Sequence, residues 1–222
     1  MKLFVKWLVV LLLPFSVAVA EVAEVAQEYA EGTEYLRLST PQPTASADKI
    51  EVIELFWYGC SHCNELEPFI AEWLETKPDD VEFVRLPAIV GPKWEPLAQA
   101  YFTAELLGVL DKTHPALFES IHVKKQKYPD EAQIMEFFVS QGVSEEDFKN
   151  AYNSFAVSVK MNNAKLMTRR YAITGVPTVI VNGKFSTSGK YAKGNANLIK
   201  VIDFLVVQER TAAIPRQPAA AN

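Results

Sequence analysis

The chain has 222 residues, 49% of them apolar and 11% aromatic, enough for one sizeable core or two small ones. A formal net charge of −5 lacks the basic footprint of a nucleic-acid binder, so no nucleic-acid partner is expected. Two cysteines are too few for a stapling framework in a chain of this length.

Residues 1–20 read as a cleaved secretory signal peptide. Lys2 and Lys6 give a positive start, residues 7–15 are apolar apart from Pro14, and Ala18-Val19-Ala20 is a small-residue cleavage site. The apolar run is too short for a comfortable membrane span, and no later stretch reaches the ~20 apolar residues that one needs. The mature protein is therefore expected to be exported, into a compartment where disulfides persist.

Residues 21–30 are acidic and helix-friendly. Residues 33–38 alternate polar and apolar, which predicts a first strand, and residues 39–48, with Pro41 and Pro43, predict a loop. Residues 50–56 are almost continuously apolar, as in a central strand covered on both faces. Glu54 interrupts that run. It either turns outward to water or is a buried carboxylate able to perturb nearby groups or relay a proton.

Phe56-Trp57-Tyr58-Gly59-Cys60-Ser61-His62-Cys63 follows, and a helical pattern over residues 64–75, with Pro68 inside it, leads out. Residues 81–86 form a second strand, so strand, helix and strand make a right-handed crossover unit. Residues 91–164 carry only helical patterns. One stops near Gly108, another contains Leu117 and Ile121, Asp130 caps a third, and Ser144 with Asp147 opens a fourth. A last long helix is predicted to run to Ile173. Gly175-Val176-Pro177 precedes a strand over residues 178–181. Asn182-Gly183 signals a tight hairpin turn, and residues 184–186 return as its partner strand. Leu198, Ile199, Ile202, Leu205 and Val206 mark a closing amphipathic helix. Residues 211–222, rich in proline and alanine, read as a disordered tail.

Without the helical block, a compact α/β unit remains, with Cys-x-x-Cys at a strand-to-helix junction. The predicted architecture is a thioredoxin-like fold with an inserted all-helical domain. Residues 21–90 and 165–210 form the first unit and residues 91–164 the second.

Cys60 and Cys63 lie one helical turn apart and can reach disulfide distance. Such a link closes too short a loop to restrain the unfolded chain much, so the pair is expected to react rather than to hold. Cys60, at the helix N-terminus, is the attacking thiolate, because free N–H groups and the helix dipole favour an anion there. Cys63, buried one turn in, is the resolving thiol. His62 and Ser61 lower the Cys60 pKa further, and a stabilised thiolate makes the disulfide a stronger oxidant. A zinc site is the rival reading. Only His114 and His122 could join the two cysteines, at a spacing that fits no common zinc pattern, so both read as ordinary residues of the helical block and no metal is expected. Val176-Pro177 fits a cis-proline loop beside the disulfide, where an extended substrate could pair with Val176 as an added strand.

These residues resemble the DsbA-type periplasmic thiol:disulfide oxidoreductases over nearly all the mature chain. The likeness rests on Glu54-Leu55-Phe56, Cys60-Ser61-His62-Cys63, Asn153-Ser154-Phe155, Gly175-Val176-Pro177, Val181-Asn182-Gly183-Lys184 and the helical insertion. The resemblance implies a monomeric periplasmic oxidase that donates its Cys60–Cys63 disulfide to reduced, unfolded exported proteins through a mixed disulfide at Cys60. It implies reoxidation by a DsbB-type quinone-linked membrane partner, and no metal or organic cofactor. Glu54 matches the family's buried acidic residue. Two departures stand out: serine at position 61, where proline is common, and no clear match for the lysine that partners the buried glutamate in some members, although Arg85 lies near it in strand register. A disulfide isomerase or reductant of the same fold, and a redox-silent peptide-binding chaperone, are the alternatives.

Overall fold

The computed structural model describes residues 29–46 and 48–213. The expected signal peptide, its cleavage after Ala20, the stretch from residue 21 to 28 and residues 214–222 lie outside the described residues.

The predicted first strand contracts to β1 (Leu36–Arg37), whose two residues pair antiparallel with Ser186 and Phe185, while Leu38 still donates its amide to the Lys184 carbonyl at 2.8 Å. β2 (Ile50–Phe56) is the predicted central strand, buried from Glu51 onward. The active-site helix α1 (Ser61–Thr76) starts three residues earlier than its apolar pattern and stays continuous through Pro68. β3 (Val81–Pro87) pairs with β2 in parallel, as a crossover helix allows.

A 3-10 turn at Pro92–Trp94 leads into α2 (Glu95–Leu106), followed by α3 (Leu110–His122), α4 (Glu131–Ser140) and α5 (Glu145–Tyr152). The predicted caps form: Asp130 accepts from the amides of Ala132 and Gln133, and Ser144 accepts from that of Asp147. α6 (Phe155–Arg170), capped by Ser154, ends before the predicted Ile173 and runs unbroken through residue 164, where a domain boundary was expected.

β4 (Thr178–Val181) returns antiparallel to β2, giving the sheet order β1-β5-β4-β2-β3. Asn182 and Gly183 both take positive φ, as the hairpin requires. Gly183 also packs against the Gln42 backbone, where a Cβ would collide with the carbonyl oxygen. β5 is Phe185–Thr187, one residue later than predicted. α7 (Asn195–Ala213) extends into the expected tail, since Thr211, Ala212 and Ala213 are helical.

Alternation along the central strands divides the core. Val52, Val179 and Val181 pack with Leu66, Ile70 and Trp73 of α1 and with Leu198, Ile202 and Leu205 of α7. Ile53, Leu55 and Ile180 pack with Leu97, Tyr101, Phe118, Phe138 and Phe148 of the helical block. Register places Glu54 opposite Val179 and Arg85, on the face that α1 covers.

Candidate active site

Strand β2 ends at Phe56, and the chain turns through Trp57, Tyr58 and Gly59 to deliver Cys60 to the N-cap of α1 with extended backbone. Gly59 is there for space. The Trp57 ring folds over it, and a Cβ would lie 2.5 Å from ring carbons. Trp57 in turn stacks on Trp94, ring centroids 4.5 Å apart. Gly59→Ala is therefore expected to dislodge this stack and cost about 1–3 kcal/mol, the range for overpacking, read as a lower Tm with altered tryptophan fluorescence.

Cys60 is partly exposed and Cys63 fully buried, and both are free thiols. Cys60 occupies the N-cap position that Ser144 and Ser154 hold on their own helices; unlike theirs, its side chain makes no cap hydrogen bond, but it sits at the same end of the helix dipole. As a thiol, Sγ donates to the Val176 carbonyl at 3.3 Å. As a thiolate it accepts instead. The Cys63 thiol is the largest influence, followed on the favourable side by the Cys63 and His62 amides and the His62 charge. Against partial burial they bring the Cys60 pKa down to about 6. Burial drives the Cys63 thiol strongly the other way. One sulfur is poised as an anion and its neighbour is held neutral.

His62 is a weaker lever than its position in the sequence implies. Its side chain is 76% exposed, and Nδ1 lies 3.0 Å from the Glu65 carboxylate, which raises its pKa and shares its charge. Ser61 is exposed at the first helical position.

The Val176–Pro177 bond is cis, as expected. Val176 and Pro177 line a groove of about 630 Å³ together with His62, Gly175, Lys190 and Tyr191. Val176 joins this groove to Cys60, since its carbonyl meets the Cys60 sulfur.

Behind Cys63 lies a set of charges that no single stretch of sequence reveals. Glu54 is fully buried, and neither of its oxygens has a hydrogen-bond donor among the described residues. Arg85, not a lysine, stands against it, with Nε 3.4 Å from Oε2 in a contact without hydrogen-bond alignment. Burial, reinforced by the Glu67 carboxylate, therefore outweighs Arg85 and pushes Glu54 up to about 8. Arg85 Nη2 donates to Glu67 Oε2 at 3.0 Å. His114 Nε2 lies 3.2 Å from Glu67 Oε1, and His114 Nδ1 is 2.8 Å from the Tyr58 hydroxyl. Burial pushes Glu67 up, but His114 and Arg85 outweigh it and hold its pKa below the usual value.

His114 is thus no ordinary helical-block residue. It is buried against Phe56, Tyr58, Tyr101 and Phe118. His122 is not free either, since its Nε2 donates to the Tyr58 carbonyl at 2.7 Å. Sequence reasoning missed Glu67, His114 and Tyr58 as members of one cluster. The available signal was Glu54 itself, a carboxylate in an apolar strand that needed partners.

A dithiol with one activated sulfur, a neutral partner and a buried carboxyl beside them can exchange disulfides. Known proteins agree in both sequence and fold. Residues 80–200 match the model of the DSBA-like thioredoxin domain. The chain is 44% identical over 188 residues to the thiol:disulfide interchange protein DsbA of Pseudomonas aeruginosa, covering 85% of this chain and 89% of that one. The crystal structure of Pseudomonas aeruginosa DsbA superposes with a TM-score of 0.81 at 44% identity, covering 85% of this chain and 98% of that chain. The oxidoreductase DsbA from Xylella fastidiosa superposes at 0.77 with 30% identity, covering 82% and 98%. The expected thioredoxin-like architecture is therefore present, and the chain belongs to the DsbA-like thioredoxin domain family.

Proposed function

We propose that this protein is a thiol:disulfide oxidoreductase that oxidises other proteins with its Cys60–Cys63 disulfide. The observation that carries the reading is the partly exposed sulfur of Cys60 at the N-cap of α1, beside the buried Cys63 thiol, where Cys63 and His62 favour its thiolate. A substrate thiolate attacks Cys60 Sγ. The Cys60–Cys63 bond breaks, and its electron pair leaves on Cys63, which takes up the proton that Glu54 holds at neutral pH. A second substrate thiolate then attacks the substrate's own sulfur in the mixed disulfide. The substrate leaves with a disulfide, and Cys60 departs as a stabilised thiolate. That stability in the reduced state makes the protein an oxidant and favours this reading over a reductant.

The groove beside Val176 and Pro177 suits an extended chain laid next to Cys60. Ser61 and His62 tune the thiolate, and no metal or organic cofactor enters the cycle. We assign the protein to the periplasm as a monomer, supported by the leader-like residues 1–20 and by the kinship with DsbA proteins. In keeping with that kinship, a DsbB-type quinone-linked membrane oxidase would restore the disulfide. Residues 91–164 are read as an inserted helical domain that covers one face of the sheet and supplies His114.

Thiolate absorbance of the reduced protein against pH tests the reading. The midpoint is expected near 6, and one near the ordinary thiol value of 9.0 overturns it. Because Cys63 and backbone amides dominate and His62 is solvated, His62→Ala should raise the midpoint by less than about one pH unit in the same titration.

A further inference from the structure

The cluster behind Cys63 has an asymmetry that points to a role for its histidine. A carboxylate can take both nitrogens of an arginine, as Asp80 does, although exposed Glu31 takes only Nε of Arg37. Asp80 accepts from Arg210 Nε at 2.6 Å and from Nη2 at 2.7 Å. Glu67 takes only Nη2 of Arg85, because its other oxygen is turned to His114 Nε2. Arg85 Nε is left facing Glu54.

We propose that His114 is a positioning residue for disulfide exchange: by engaging one oxygen of Glu67 it prevents a two-point Glu67–Arg85 pair and keeps Arg85 Nε directed at Glu54. With Nδ1 accepting the Tyr58 hydroxyl proton, Nε2 carries the hydrogen and faces Glu67 Oε1 at 3.2 Å, a close contact without hydrogen-bond alignment, so a neutral imidazole fits both neighbours. Burial among aromatic rings holds His114 in that neutral form, against the pull of Glu67. The groups that bear on Glu54 come from four directions: Cys63 and Glu67 from α1, Arg85 from β3, Tyr58 from the turn after β2, and Tyr101 from α2. Arg85 is the one cation among them. Its orientation therefore modulates how readily Glu54 ionises, against burial and the Glu67 charge.

The inference rests on the exchange reading above, and the step it affects is Cys63 attacking a mixed disulfide at Cys60. The Cys63 thiol gives its proton to ionised Glu54, its sulfur bonds to Cys60 Sγ, and the Cys60–substrate bond breaks with the electron pair on the departing thiolate. The rate then follows the ionised fraction of Glu54.

The test mixes reduced protein with saturating oxidised glutathione and follows, by stopped flow from pH 5 to 10, expulsion of the second glutathione. Wild type should show a midpoint near 8. In His114→Phe, Glu67 is free to take both Arg85 nitrogens, so the midpoint should rise by about one pH unit, a several-fold loss of rate at pH 7. Glu67→Gln removes the carboxylate whose charge itself raises Glu54, so it should lower the midpoint whatever His114 does and serves as the control that the assay reads Glu54. His114→Gln, which restores a donor near the place of Nε2, should return the midpoint towards wild type. A merely structural role for His114 would change stability or overall rate in the His114 variants and leave their midpoints where they were. Midpoints within a few tenths of wild type, or moving together, overturn the inference while leaving the exchange reading intact. Wild-type protein that never expels the second glutathione removes both.

Discussion

Cys60→Ser is expected to reduce disulfide transfer to the uncatalysed rate, and Cys63→Ser to halt the reaction halfway. The two sulfurs differ in access and ionisation, so their losses differ in kind. Cys60 is partly exposed, faces the groove at Val176 and is held down to about 6. Without it no sulfur that substrate can reach remains, because Cys63 is fully buried. Without Cys63, a substrate bound to Cys60 as a mixed disulfide has no internal thiol to release it, so adducts accumulate. The assay is oxidation of a reduced two-cysteine peptide, with intact mass to detect the adduct. Unimpaired oxidation by Cys60→Ser would sink the oxidase reading and favour a chaperone that merely retains the fold. Release from Cys63→Ser at the wild-type rate would remove Cys63 from the cycle.

Glu54 should make the oxidised protein markedly less stable as pH rises. Its unfolded reference is 4.5 and its folded value about 8, so between these limits the native state binds more protons than the unfolded chain. Stability contributed by this group is therefore full below about pH 4.5, falls through the interval and levels off above about 8. At about 1.4 kcal/mol per pH unit, the interval sets a ceiling of about 5 kcal/mol. Glu54→Gln removes the titration and should flatten the curve. Denaturant unfolding of both oxidised proteins from pH 4 to 9 isolates the difference, since oxidised cysteines do not titrate and other groups cancel. Parallel curves would mean that Glu54 is not held protonated. The same substitution should slow exchange, because Cys63 loses its proton partner.

The sequence made the reactive end of the molecule legible and left its interior dark. An unbroken apolar run marked β2, and a Cys-x-x-Cys pair at its exit marked the start of α1. Gly175-Val176-Pro177 marked the loop that meets Cys60. Glu54 stood out as an anomaly and strand register placed Arg85 near it, but Glu67 and His114 gave no such sign. Glu67, Arg85 and His114 come from α1, β3 and α3, and each looks like a solvent-facing residue within its own element. Only packing of the helical block against the sheet turns them inward together. Trp57 and Gly59 were hidden for a similar reason, since a side chain that folds back over a glycine leaves no periodic trace. β1 was overread because an alternating pattern reports a face, whereas strand length depends on how far the neighbouring edge extends.

Cys60 and the carbonyl that meets it are 116 positions apart in the chain. β4, which anchors that carbonyl's loop, pairs directly with β2, so the central strand lacks one neighbour until the C-terminal third arrives. A polypeptide made or threaded N-terminus first therefore carries its dithiol for most of that journey with no groove beside it. The start of α1 alone sets the reactive sulfur, whereas the loop that would present a partner to it takes its place only when the last part of the molecule closes the sheet.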